Sequence, residues 1–308
     1  MKRFTKGLVA LITAATIGTC GYSTCSGPDL EMKEGYSDLD KSMKQEVSIP
    51  FVEKFDVRDN RMKPVSADEL HQELSGFMSL RNNKDREKYG ILLFLQAGFK
   101  ESDISRQRVN SDYNNIIVEK KGKSDKTIVI GAHIDRVSQG KGIIDNASGS
   151  TLVTNLAQAI RGEDTKYTYR FVLFTLEESG LIGSRNYVKR MTKDDKDRFA
   201  YMINADCVGV EHTVIYANIS NDGLESTLAK IGEQRGFVFR KENLSPWYGV
   251  DSLSFRRAGL PSGSLATTNY EDKIHKPSDT IDKIDKKELA KTYQLMLDLL
   301  FVTERSKL

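Results

Sequence analysis

Three apolar runs of strand length, each closed by a His or an acid, constrain this chain more than any other feature of its 308 residues. Residues 127–132 (TIVIGA) lead into His133, residues 169–176 (YRFVLFTL) into Glu177 and Glu178, and residues 200–205 (AYMINA) into Asp206. The middle run is almost continuously apolar, the pattern of a strand covered on both faces, as strands of parallel sheets are. Helical periods alternate with these runs. Ser66 and Glu69 form a capping box ahead of Leu70, Leu74, Phe77 and Met78. A second helix is expected over residues 84–97. Leu152, Val153, Leu156, Ala159 and Ile160 mark one face of a third, capped by Asn146 and Ser148. Further helices are expected over residues 184–191, 223–235 and 287–305, and further strands over 114–120, 214–216 and 260–266. The charged Lys120-Lys121-Gly122-Lys123 run reads as a solvated hairpin tip joining the strand over 114–120 to the one ending at His133. Strands alternating with helices predict a single α/β domain around a largely parallel sheet.

Strand ends matter because the carboxyl edge of a parallel sheet is where ligands and chemistry collect. His133, Glu177, Glu178 and Asp206 would share that rim. Asp145, in Asp-Asn-Ala-Ser-Gly, follows the first strand, and His275 lies in a late loop beside Asp279. Singly, each is explained as a cap, a surface charge or a turn residue. Together, two His and three carboxylates suit borderline-soft divalent ions, zinc first. Five ligands overfill one tetrahedral site, whereas one bridging carboxylate gives each of two ions three protein groups and room for water. Two ions about 3.5–4 Å apart would activate a shared hydroxide and clamp the oxyanion formed at a carbonyl.

The motifs GAHIDRV (131–137), IIDNASG (143–149), TLEESGLIGS (175–184), NADCVG (204–209) and IHKPSDT (274–280) resemble those of the dizinc aminopeptidases of metallopeptidase family twenty-eight, exported bacterial members especially. The resemblance implies a three-layer sandwich with a central mixed, mostly parallel sheet flanked by helices, the zinc-dependent exopeptidase fold. It implies two zinc ions per chain, His133 and Asp206 on one, Glu178 and His275 on the other, and Asp145 between them. Glu177 would be the general base and Asp135 the partner of the His133 imidazole. Glu177 and Glu178 would face opposite ways if their strand stays extended. A cis peptide is implied at Asp145-Asn146. The sequence departs from the family at Ile134 and Arg136, where Tyr and Ser are usual, and at Val250-Asp251-Ser252, where many relatives carry Ser-Asp-His. These departures touch specificity, and Trp247, Tyr248 and Asp251 are the candidate substrate-binding residues. His71 and His212 read as surface and structural residues. A glutaminyl cyclase-like cyclotransferase of the same fold and a binding protein that lost the chemistry are the competing readings. The span between Asp206 and His275 is too short for the dimerisation domain of related aminoacylases.

Composition decides what partners to expect. The net charge of +3 rests on 46 basic and 43 acidic residues. Lys2, Arg3 and Lys6 precede Cys25 with no acid among them, and setting those three aside leaves the body balanced. Nothing electrostatic favours a nucleic-acid partner. The same three residues precede a short apolar run over 8–18, a secretory signal pattern rather than a membrane span. Ile17-Gly18-Thr19-Cys20 resembles a lipoprotein box, with Thr19 where that box takes a smaller residue, so a lipid anchor at Cys20 is an option. Residues 1–25 are therefore expected to be a signal peptide, 26–64 a linker or surface strap, and 65–308 the catalytic domain. Export is expected, whether to a periplasm, the medium or a membrane surface, as a monomer acting on peptides. Cys207 alone lies in the body, so no disulfide can form there.

Overall fold

A computed structural model of the protein describes residues 54–308; the expected signal peptide and most of the expected strap lie outside the described residues. Eight strands are described: β1 (Ile104–Arg108), β2 (Asn114–Lys120), β3 (Thr127–His133), β4 (Thr168–Phe174), β5 (Phe199–Ala205), β6 (Thr213–Tyr216), β7 (Phe239–Glu242) and β8 (Ser262–Thr267). They form one sheet in the order β1-β2-β4-β3-β5-β8-β6-β7. The pairings β3–β4, β3–β5, β5–β8 and β6–β7 are parallel, and β1–β2, β2–β4 and β6–β8 antiparallel. The helices are α1 (Ala67–Gly76), α2 (Asn83–Gln96), α3 (Ser148–Ile160), α4 (Ile182–Arg190), α5 (Lys193–Arg198), α6 (Asp222–Arg235), α7 (Ser252–Arg257) and α8 (Lys286–Arg305).

The period of two along each strand sorts the core into layers. Ile128 and Ile130 of β3, Phe171 and Leu173 of β4, and Tyr201 and Ile203 of β5 join the large core. There they meet Leu74 of α1, Phe94 of α2, Leu152 and Leu156 of α3, and Leu297 and Leu300 of α8. The intervening Val129, Val172, Phe174 and Met202 point the other way, against Tyr187 and Val188 of α4 and Phe255 of α7. Each central strand is thus buried on both faces, as the continuous apolar runs require.

Several expectations are corrected. The Lys120–Lys123 run is not a hairpin tip, because β2 pairs with β1 and β4 and never with β3. The backbone after β2 instead runs beside the approach to β4, with Lys123 N–H donating to Thr165 O and Ser124 N–H to Lys166 O. Periodicity sees each strand but not the order in which strands pair. The edge strands β1 and β7 and the short helices α5 and α7 were not anticipated. In β1 only Ile104 is buried, and in β7 no residue is, so neither carries an apolar signal. The capping box at Ser66 and Glu69 is present in full, each side chain accepting from the other's backbone N–H at 3.2 and 3.0 Å.

Close packing of α3 on β5 fixes where the site's central loop can sit. A Cβ on Gly149 would lie 2.2 Å from Ala205 O and 2.5 Å from Asn146 Oδ1, and the first of these is backbone that cannot swing aside. Gly149→Ala is therefore expected to lower stability by about 1–3 kcal/mol, read as a lower urea midpoint at unchanged slope. An unchanged midpoint would mean that α3 lifts off β5 without cost.

Candidate metal centre

β3 and β5 are parallel neighbours with Gly131 opposite Asn204, so His133, the last residue of β3, and Asp206, the first after β5, emerge on one rim. His133 Nε2 lies 3.3 Å from Asp206 Oδ1. A tight turn over Ile143–Ala147 brings in Asp145, whose Oδ1 is 3.0 Å from His133 Nε2 and whose Oδ2 is 2.9 Å from His275 Nε2. Glu178 Oε2 lies 3.0 Å from the same His275 nitrogen. These residues make two donor groups, His133 with Asp145 and Asp206, and Asp145 with Glu178 and His275. Within each group the donor atoms lie within 4.8 Å of one another, and Asp145 offers an oxygen to both.

The donor set fits divalent ions. Asp206 Oδ1 is buried with no hydrogen-bond donor. His133 Nε2 has one proton at most, yet faces carboxylate oxygens of Asp145, Asp206 and Glu177 at 3.0, 3.3 and 3.9 Å. That is too much buried negative charge for one imidazole. The electrostatics agree. Burial would keep His133 neutral, but the carboxylates of Asp206, Glu177, Asp135 and Asp145 outweigh it and hold the imidazole well above its ordinary value. The hydrogen bonds to Asp145 and Glu178 lift the more exposed His275 to about 10. Burial pushes the Glu177 carboxyl well up against the pull of His133, with Asp206, Asp251 and Asp145 adding to the rise. Nitrogen and oxygen donors in sets of three, with space left over, suit zinc.

Glu177 and Glu178 do face different partners, but not through strand pleating. β4 ends at Phe174, Leu176 adopts φ 55° and Leu181 φ 60°, and Gly180 and Leu181 N–H donate back to Glu177 O. The two acids sit in a turn. Asp135 does more than expected of it. Its carboxylate accepts the N–H of Glu177 at 3.1 Å and of Glu178 at 3.2 Å, so it holds that turn in place. The nearest contact to His133 Nδ1 is the backbone oxygen of Asp135 at 3.2 Å, with its Oδ1 at 3.5 Å. The Asp145-Asn146 peptide is cis. The N-cap position of α3 falls to Ala147, and Asn146, one residue earlier, still accepts from Gly149 N–H in the first turn at 2.9 Å. Ser148 instead donates to Ile144 O and accepts from Val208 N–H.

The candidate substrate residues are placed unevenly. Trp247 is 83% exposed and Tyr248 41%, both on the loop before α7. Asp251 is fully buried, so it cannot touch a substrate in this conformation. Neither of its oxygens has a donor in hydrogen-bonding geometry, the nearby Ser184 hydroxyl being engaged with Ser254 at 2.8 Å. Burial pushes the Asp251 carboxyl up to about 7.

Two residues without an expected role support the centre. Arg86 of α2 is fully buried and donates to the carbonyls of Ile134, Lys141 and Gly142, spanning the loop between His133 and Asp145. Asp279, also buried, accepts from the N–H groups of Ile143, Ile144 and Asp145 at 2.9, 2.7 and 3.4 Å. A charged residue inside a helical period and an acid just after a His motif carry no mark of such duties.

A sheet covered on both faces, with two adjoining donor groups at its carboxyl rim, is the frame of an α/β metallopeptidase. The description "Peptidase family M28" matches residues 115–300, and the chain belongs to that family. The aminopeptidase YwaD of Bacillus subtilis (strain 168) is 30% identical over 204 residues, 61% of this chain and 44% of the relative. A probable lipoprotein aminopeptidase, LpqL of Mycobacterium tuberculosis, is 25% identical over 289 residues, 78% of this chain and 57% of the relative. The crystal structure of BSAP, a zinc aminopeptidase from Bacillus subtilis, superposes with a TM-score of 0.56 at 25% identity, covering 61% of this chain and 50% of that one. The chain thus matches about half the length of these relatives.

Proposed function

We propose that the chain is a zinc-dependent aminopeptidase that removes N-terminal residues from peptides. The observation that carries this reading is the pair of donor groups sharing Asp145, with Glu177 beside them. His133 and Asp206 would hold one ion and Glu178 and His275 the other, with Asp145 between. When bound, the ions supply Lewis acidity and lower the pKa of water. Glu177 takes the proton of the attacking water on its carboxylate and passes it to the nitrogen of the leaving amine. Asp135 fixes the Glu177-Glu178 turn and the His133 ring, so that base and ligands keep their spacing. The acidic surround favours a substrate with a free α-ammonium group, and relatives named as aminopeptidases support that choice. All donors come from one chain, so a monomer suffices. The basic and apolar leader supports export, in line with a relative named as a lipoprotein. Presence of every donor and of the base weighs against a binding protein, and the relatives do not favour a cyclotransferase.

The test is metal content and its removal. Purified protein is expected to carry two zinc ions per chain and to hydrolyse an aminoacyl anilide. Chelation and dialysis should abolish that activity, and zinc should restore it. Each ion bound only by the folded state should also raise stability by about 4 kcal/mol at a thousandfold excess over its Kd, seen as a lower Tm after chelation. Full activity in demonstrably metal-free protein would sink the proposal.

A further inference from the structure

We propose that Asp279 is a positioning residue that pre-forms the Asp145–Glu178–His275 half of the centre; this rests on the two-ion reading above. The two halves are built differently. His133 and Asp206 leave the ends of β3 and β5, strands locked to each other and to their outer neighbours. Their side chains are buried, and their spacing is set by the sheet. His275 has no such support. It sits in a loop with a side chain 46% exposed and its own φ at 55°, a left-handed backbone that a non-glycine residue adopts only when its surroundings impose it.

Asp279 is the imposing contact. Four residues after His275, its carboxylate reaches across to three successive N–H groups that end at Asp145. Its backbone ties the same segments a second time, Asp279 O accepting from Lys141 N–H at 3.1 Å. Its own N–H closes the turn after His275 by donating to Lys276 O at 3.0 Å. Gly140 lets the two loops touch, since a Cβ there would lie 2.3 Å from Lys276 O. One buried side chain therefore fixes the separation of two ligands that arrive on unrelated loops. A carboxylate is the group for this duty, because its two oxygens carry four acceptor positions and it offers no proton to compete. An amide would present an NH2 to the Asp145 N–H.

Asp145 serves both groups, but His133 and Asp206 stay fixed by the sheet whereas His275 does not, so loss of Asp279 should weaken the Glu178–His275 ion much more than the other. Metal-free wild-type protein, Asp279→Asn and Asp279→Ala are titrated with Co2+, followed by visible absorption and by equilibrium dialysis. Wild type is expected to take up two equivalents. Both variants should bind the first equivalent within about threefold of wild type and the second about 10–100-fold more weakly, with Asn the milder of the two. Equal weakening of both steps would show a general structural role and overturn the proposal, as would two unaltered steps. Should the Ala variant not fold, the Asn variant decides, because it keeps one acceptor oxygen for Ile143 and Ile144. Uptake of only one ion by wild type would instead overturn the two-ion reading, a distinct failure visible before any variant is made.

Discussion

Glu177→Gln is expected to lower kcat by a factor of about 10²–10⁴ while leaving zinc content and KM within about twofold. The substitution is nearly isosteric and keeps the backbone N–H that Asp135 accepts, so the turn carrying Glu178 should persist. What it removes is the ability to hold a proton between water and leaving amine. Glu177 is suited to that work by its surroundings: burial, with the carboxylates of Asp206, Asp251 and Asp145, pushes its pKa up against the pull of His133, which makes it a stronger base than an exposed carboxylate. The control is Glu178→Gln, which should cost metal affinity along with rate, since Glu178 and not Glu177 lies 3.0 Å from His275. Steady-state kinetics on an aminoacyl anilide, with metal analysis of the same samples, separate the two acids. A Glu177→Gln enzyme that retains its metal and turns over at the wild-type rate would remove Glu177 from the mechanism.

The strands that build the rim were readable because each is buried on both faces and therefore written as an unbroken apolar run. β2 and β3 have the bounds read from the sequence or lie within one residue of them. The candidate donors that the structure brings together stand out in the sequence because they close such runs, His133 and Asp206 directly, or sit in motifs of distinctive composition, Asp145 and His275. What could not be read is whatever depends on which segments meet. The placement of β4 between β2 and β3, the turn that separates Glu177 from Glu178, and the reach of Asp279 to residues 143–145 are all long-range facts. Asp251 illustrates the same limit from the other side. Its place in a departure from the family pattern suggests substrate contact, and the fold buries it completely while leaving Trp247 in solvent. Sequence proximity to a site is not orientation toward it.

Arg86 is where that hidden layer should have its largest effect on stability. Arg86→Met is expected to lower the free energy of unfolding by about 3–5 kcal/mol, the usual result of deleting one member of a buried, paired network. The side chain is fully buried, and burial draws its pKa down to about 10, yet it persists because its surroundings compensate for its desolvation. Three carbonyls, of Ile134, Lys141 and Gly142, accept from its guanidinium, the Phe77 ring lies 4.9 Å from it, and Asp135, Asp145 and Asp279 supply opposing charge. Two explanations of its value can be separated. If charge alone matters, Arg86→Lys should restore most of the loss. If the planar fork matters, Lys should restore less than half, because one ammonium cannot reach the Ile134 carbonyl at one end of the loop and those of Lys141 and Gly142 at the other. The geometry argues for the fork, since its donors run along both ends of the 134–142 segment. Urea denaturation of the zinc-loaded proteins ranks the three. A Met variant within about 1 kcal/mol of wild type would mean that water takes over those carbonyls and that the segment between His133 and Asp145 holds its shape without the guanidinium.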